Sequence, residues 1–128
     1  MNVLIFDKNI NQTRDILISK PFIKLTENVF QTDINYVIIE LQNSIDTIWV
    51  DMLQMGYNTQ NVPIIVLHEK INEIILQKNY SRLARCRLGN FQKFHLGLNL
   101  VNTESDFFYL ISTMPTGHNL LSTKTDLE

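Results

Sequence analysis

Three side chains gather the chemistry this sequence could perform in one place. Asp7, Glu40 and His68 each follow directly on an apolar run: Val3-Leu4-Ile5-Phe6, Tyr36-Val37-Ile38-Ile39 and Val62-Pro63-Ile64-Ile65-Val66-Leu67. A carboxylate beside an imidazole keeps the ring titrating near neutral pH, so His68 is a candidate switch as well as an ordinary solvated loop histidine. Glu40 reads either as a structural ion-pair partner or as a mimic of a charged state, and Asp7 either as part of the same rim or as a turn residue. Other constellations are weaker. A triad can be written from Cys86, His68 or His95, and Asp7, but Cys86 sits in a basic stretch with no nucleophile signature around it. The histidines at 68, 95 and 118 lack the short spacing of a metal motif, and the glycines at 56, 89, 97 and 117 are too scattered for a phosphate loop. The expectation is a protein with no catalytic residues, no metal and no cofactor.

The elements that must position these residues follow from hydrophobic periodicity. The three runs, rich in β-branched residues, read as strands buried on both faces, the mark of a parallel sheet. Asn9 or Asn11 can cap a helix over 11–20 that Pro21 ends, and Ile23 and Leu25 suggest a short strand between Phe22 and Phe30. Ile45, Ile48, Trp49, Met52 and Leu53 fall at helical spacing, with a stop at Gly56. A long helix is expected from Ile71 to Leu88. The alternation Phe94, Leu96, Leu98, Leu100 predicts a fifth strand over 91–100. Phe107, Leu110, Ile111 and Met114 define a last helix, capped by Asn102 or Thr103 and ended by Pro115. Strands alternating with helices give a three-layer, doubly wound α/β fold with a five-stranded parallel sheet. Ligands of such folds gather at the carboxyl ends of the strands, where Asp7, Glu40 and His68 should share one rim. The domain is expected to span 1–115, with 116–128 a polar tail or linker.

Composition narrows the class further. The chain has 128 residues, 45% hydrophobic and 19% charged, which is an ordinary globular balance. One cysteine excludes an intramolecular disulfide. No apolar run approaches the roughly 20 residues of a membrane span, and the N-terminus lacks the basic region of a secretion signal, so a soluble, cytoplasmic protein is expected. The net charge of −2 is unevenly spread: residues 74–103 contain no acid and five bases, Lys78, Arg82, Arg85, Arg87 and Lys93. This stripe is either the solvated face of a helix or a docking surface for an acidic partner. Direct nucleic-acid binding through it is disfavoured, because no helix-turn-helix or aromatic stacking platform accompanies it.

With VLIFDKN at 3–9, NYVIIEL at 35–41 and VPIIVLHEK at 62–70, the chain resembles the receiver domain of two-component response regulators, a flavodoxin-like fold. Receivers carry an acidic pair after the first strand, a phospho-accepting aspartate after the third, a Ser or Thr after the fourth and a lysine after the fifth. The resemblance sets Asp7 at the first acid, Lys8 at the second, Glu40 at the phosphorylated aspartate, His68 at the hydroxyl residue and Lys93 at the lysine. The interval from Asp7 to Glu40, 33 residues, is shorter than in receivers, so the second helix should be shortened or absent. The stretch Asp7 to Asp15 is also similar to the start of flagellar-type enhancer-binding transcription activators, whose receivers are degenerate.

The departures have chemical consequences. Glutamate is one methylene longer than aspartate and would overshoot the in-line position, and Lys8 puts a cation where Mg²⁺ would need an oxygen ligand. A Lys8–Glu40 ion pair is expected instead. The resemblance therefore implies a phosphorylation-independent domain for homodimerisation or docking of a regulatory protein partner. Nucleic acid would be reached only through a further domain, and no membrane is involved. Alternatives are a true phospho-accepting receiver and a nucleotide-binding module. Receivers commonly dimerise through the fourth helix, fifth strand and fifth helix, which here would combine Arg82, Arg85 and Arg87 with Glu104 and Asp106. Phe107, Phe108 and Tyr109 are consecutive, so a helix must leave at least one exposed, and Phe108 is the candidate anchor.

Overall fold

The structure, a computed structural model, describes residues 1–5, 11–28, 30–41, 62–71, 73–78 and 80–121. Five strands form one sheet: β1 (Asn2–Ile5), β2 (Lys24–Thr26), β3 (Tyr36–Leu41), β4 (Ile64–His68) and β5 (Arg87–Asn90). Their order is β2-β1-β3-β4-β5 and every pair is parallel. This is the flavodoxin-like order, in which the chain reverses direction across the sheet between β1 and β3. The helices are α1 (Asn11–Ile18), α2 (Glu73–Lys78), α3 (Tyr80–Leu83), α4 (Phe91–Asn99) and α5 (Glu104–Ser112), followed by a helical turn over 117–121.

The apolar strands are buried because both faces are covered. Val3, Ile5, Tyr36, Ile38, Ile65 and Leu67 face the layer of α1, α4 and α5, meeting Leu17, Phe94, Leu98, Phe107 and Ile111. Phe107 is fully buried and stacks edge-on against Tyr36, with ring centroids 5.0 Å apart. The alternate residues Leu4, Val37, Ile39, Ile64, Val66 and Leu88 face α2, α3 and the turn beyond α5. The three-layer architecture thus follows the strand periodicity.

Between β2 and β3 the described residues contain no helix. Asn2 holds that connection against β1: its amide donates to Asn35 Oδ1 at 2.7 Å and its side chain donates to the Asp33 carbonyl at 2.9 Å. Asp33 takes a left-handed φ of 65°, which a short polar side chain tolerates. The expected helix at 45–53 lies outside the described residues.

Two expectations in the second half are corrected. The single helix expected from Ile71 to Leu88 is two short ones, and its last residues belong to β5. The strand expected over 91–100 is helix α4. Asn90 starts it from an extended conformation, its Oδ1 accepting from the Lys93 amide at 3.1 Å, and so diverts the chain into a helix. The alternating pattern fits a helix equally well at i and i+4: Phe94 and Leu98 are buried, while Leu96 and Leu100 stand 69% and 79% exposed.

The boundary expected after Pro115 falls inside the fold. Leu88 donates its amide to the Pro115 carbonyl at 2.8 Å, Arg87 pairs with Thr116, and Leu120 and Leu121 pack on the second core layer. Residues 122–128 lie outside the described residues. Among the described residues, no helix is long and apolar enough to cross a membrane.

Candidate functional site

The carboxyl ends of β3, β4 and β5 deliver Glu40, His68 and Asn90 to one rim. The register makes this local: Glu40 stands opposite Leu67, Leu41 opposite His68, and His68 opposite Asn90. Strand alternation then separates them. Glu40 follows Tyr36 and Ile38 on the α1–α4 face, whereas His68 follows Ile64 and Val66 on the other face.

Glu40 is only 9% exposed, and its charge acts on His95 of α4. Burial lowers the His95 pKa and Glu40 opposes that shift without cancelling it. His95 Nε2 is hydrogen-bonded at 2.7 Å to the hydroxyl of Thr13, a fully buried residue in the first turn of α1. Thr13 and Leu17, one helical turn apart, form the buried stripe of α1, and Phe91 stacks at a tilt on the His95 ring, 6.0 Å between centroids. A hydroxyl, an imidazole and a carboxylate therefore gather where strand order reverses. With no exposed surface, Thr13 cannot reach a substrate as a nucleophile; the group can fix a histidine tautomer and hold a proton. Sequence reasoning missed Thr13 and the role of His95, because reading 91–100 as a strand gave His95 the wrong neighbours. The Asn90 cap followed by Phe91, Phe94 and Leu98 at helical spacing was the usable signal.

His68 belongs to a second arrangement. Its pKa is lowered by burial alone, its Nδ1 is buried without a hydrogen-bond partner, and it lines a cavity with Asn90 and Lys93. Of the expected rim, His68 and Lys93 thus come together and Glu40 faces the other way. Asp7 and Lys8, with the ion pair expected between Lys8 and Glu40, lie outside the described residues. Cys86 is buried, and burial pushes its thiol up to about 12, which leaves it a poor nucleophile. Among the described residues, no three His, Cys, Asp or Glu side chains are grouped closely enough to hold a metal ion.

Of the expected interface residues, Arg87 and the two acids lie at opposite ends of α5. Arg82 and Arg85 are exposed near α3. Arg87 donates through Nη1 to the carbonyls of Ser112 and Met114, at 3.3 and 2.7 Å, satisfying the carboxyl end of α5. Glu104 and Asp106 occupy the first turn of that helix, about 12 Å away along its axis. Glu104 meets the N-terminal ammonium at 3.4 Å, and Asp106 accepts from the Asn102 amide at 3.1 Å while donating its own amide to Thr103 Oγ1. The helix directly after β5 is α4, so these acids do not lie on the fifth helix of the receiver plan. Phe108 and Tyr109 are exposed and Phe107 is not.

Fold and rim define a five-stranded parallel α/β domain with polar groups at its switch point. No protein-family model matches the chain, and comparisons with curated proteins and with solved structures give no match.

Proposed function

We propose that this chain is a non-enzymatic, receiver-like regulatory domain that acts by contact with a partner or a second copy of itself, and not by accepting phosphate. The observation that carries this reading is Glu40. It is the next-to-last residue of β3, beside the point where the 2-1-3-4-5 sheet reverses, the position a receiver gives its phospho-acceptor, yet it is 9% exposed and engaged electrostatically with His95. A phosphoryl acceptor must present an oxygen in line with an incoming donor and beside a cation. A buried glutamate whose charge acts on an imidazole offers neither.

The contact surface would draw on Arg82 and Arg85, whose charge suits an acidic face on the partner. The wider role, regulation within a transcriptional or signalling protein, rests on the resemblance to receivers.

Titration of the protein with beryllofluoride and Mg²⁺, followed by NMR, tests the first part: the expected result is no saturable change at Glu40 or His95, and saturable binding there overturns it. Light scattering tests the second part. Arg82→Glu or Arg85→Glu should weaken self-association at unchanged folding, and a wild-type chain that is monomeric at all concentrations removes homodimerisation from the reading.

A further inference from the structure

β5 is the last strand of the sheet, and its residues Leu88, Gly89 and Asn90 line a cavity of about 480 Å³. Leu88 in its wall belongs to the core layer under α2 and α3, whereas Phe94 and Met114 belong to the layer of α1, α4 and α5. The cavity therefore reaches both sides of the sheet. Two of its lining residues are tied together, the Leu88 amide donating to the Pro115 carbonyl. Gly89 is the wall residue between Leu88 and Asn90, and a Cβ there would strike the Met114 methyl. The volume lies within the range of small-molecule sites, and it is too large and too apolar for an inorganic ion.

Polar groups collect at one end. Asn90 is committed, its Oδ1 to the Lys93 amide and its Nδ2 to the Glu69 carbonyl at 3.0 Å. Among the described residues, the Lys93 ammonium makes no ion pair and no acidic side chain lines the cavity. His68 has a buried ring nitrogen without a partner. Helix α4, nine residues long, begins at this end and adds the positive pole of its dipole. An apolar chamber whose described lining carries a lysine and a helix amino end but no acid complements one ligand chemistry.

We propose that the cavity beside β5 binds a small organic anion with an apolar body, its carboxylate held by Lys93 and the amino end of α4 and its hydrocarbon part lying against Leu88, Phe94, Leu110 and Met114. The inference stands apart from the reading of Glu40, which lines no part of this cavity.

Octanoate is the probe, and 1-octanol its uncharged counterpart. Calorimetric titration of the full chain should show octanoate saturating one site, with octanol at least tenfold weaker. The imidazole ¹⁵N shifts of His68 should move on octanoate binding. Lys93→Met should weaken octanoate at least tenfold and leave octanol unchanged. Thr113→Trp, at an exposed position on the rim, should abolish binding of both at unchanged thermal stability. The proposal is overturned if octanoate shows no saturable binding, if octanol binds as tightly, or if Lys93→Met binds octanoate like the wild type. The wild-type comparison and the His68 shifts decide the matter even if Thr113→Trp fails to fold.

Discussion

The hydroxyl of Thr13 and Nε2 of His95, 82 residues apart in the chain, lie 2.7 Å from one another and tie α1 to α4 across the rim where strand order reverses. Both helices cover the same face of the sheet, and the charge of Glu40, near the end of β3, acts on the same imidazole. The polar centre of the domain is therefore a junction between layers, held by groups that burial would otherwise penalise.

Removing either partner of His95 should be visible in its titration. Glu40→Gln takes away a charge that raises the His95 pKa, so the midpoint, already below the ordinary histidine value, falls further. Thr13→Val keeps the side-chain shape and leaves Nε2 unpaired, which should destabilise the fold by about 1–2 kcal/mol. NMR titration of the ring and urea unfolding measure the two effects; an unchanged His95 midpoint in Glu40→Gln would contradict the geometry.

Stability should depend on the two half-buried histidines, His68 and His95, in one direction. Burial lowers the pKa of both His68 and His95 from the ordinary 6.5, so below that value the unfolded chain takes up protons that the folded chain resists. Stability is thus fully present above about pH 6.5 and declines as pH falls from there toward the lower folded values. Urea midpoints at pH 7.5 and 5.5 should show the loss, and His68→Gln should reduce it. Equal midpoints in the wild type would rule out the assignment.

Arg87 was a candidate for a surface contact, and its bonds instead place it within the fold. Arg87→Met removes the bonds of Nη1 to the Ser112 carbonyl at the end of α5 and to the Met114 carbonyl just beyond it, and should cost about 1–2 kcal/mol of stability. Arg85→Met, at an exposed turn position, should change stability by less than about 0.5 kcal/mol. Chemical denaturation of the two variants side by side checks the contrast.

Two glycines near the carboxyl end of the described chain should respond differently to alanine. A Cβ on Gly117 would run into the Leu83 carbonyl oxygen, a backbone atom that cannot step aside, whereas on Gly89 it would meet the movable end of Met114. Gly117→Ala should destabilise by about 1–3 kcal/mol and Gly89→Ala by clearly less. The same measurement tests whether the segment after Pro115 is structural, since a dispensable tail would tolerate Gly117→Ala. The hydrogen bond between the Tyr80 hydroxyl and His118 Nδ1 argues that it is not dispensable.

How far the fold was legible depends on where burial is complete. Val3 to Ile5, Val37 to Ile39 and Ile64 to Leu67 are almost wholly apolar, and such short runs have few alternatives to a strand covered on both faces. Their endings announced the rim, with Glu40 and His68 just beyond the last apolar residue. Phe107, Ile111 and Met114 announced α5 because period 3.6 and a Thr103 cap agree.

The second half resisted for a physical reason. Phe94, Leu96, Leu98 and Leu100 satisfy period 2 and the i, i+4 relation at once, and only the Asn90 cap and the depth of the core between α1 and the sheet select the helix. Arg87 to Asn90, with a single large apolar residue, carries little strand signal of its own; its partner β4 on one side and Pro115 and Thr116 on the other make it a strand. Likewise local pattern could deliver Glu40 and His68 to a common edge but not to a common face. Side-chain alternation sends them to opposite layers, and what each then meets, His95 with Thr13 or Lys93 with an apolar chamber, was chosen by helices that pack only once the chain has closed on itself.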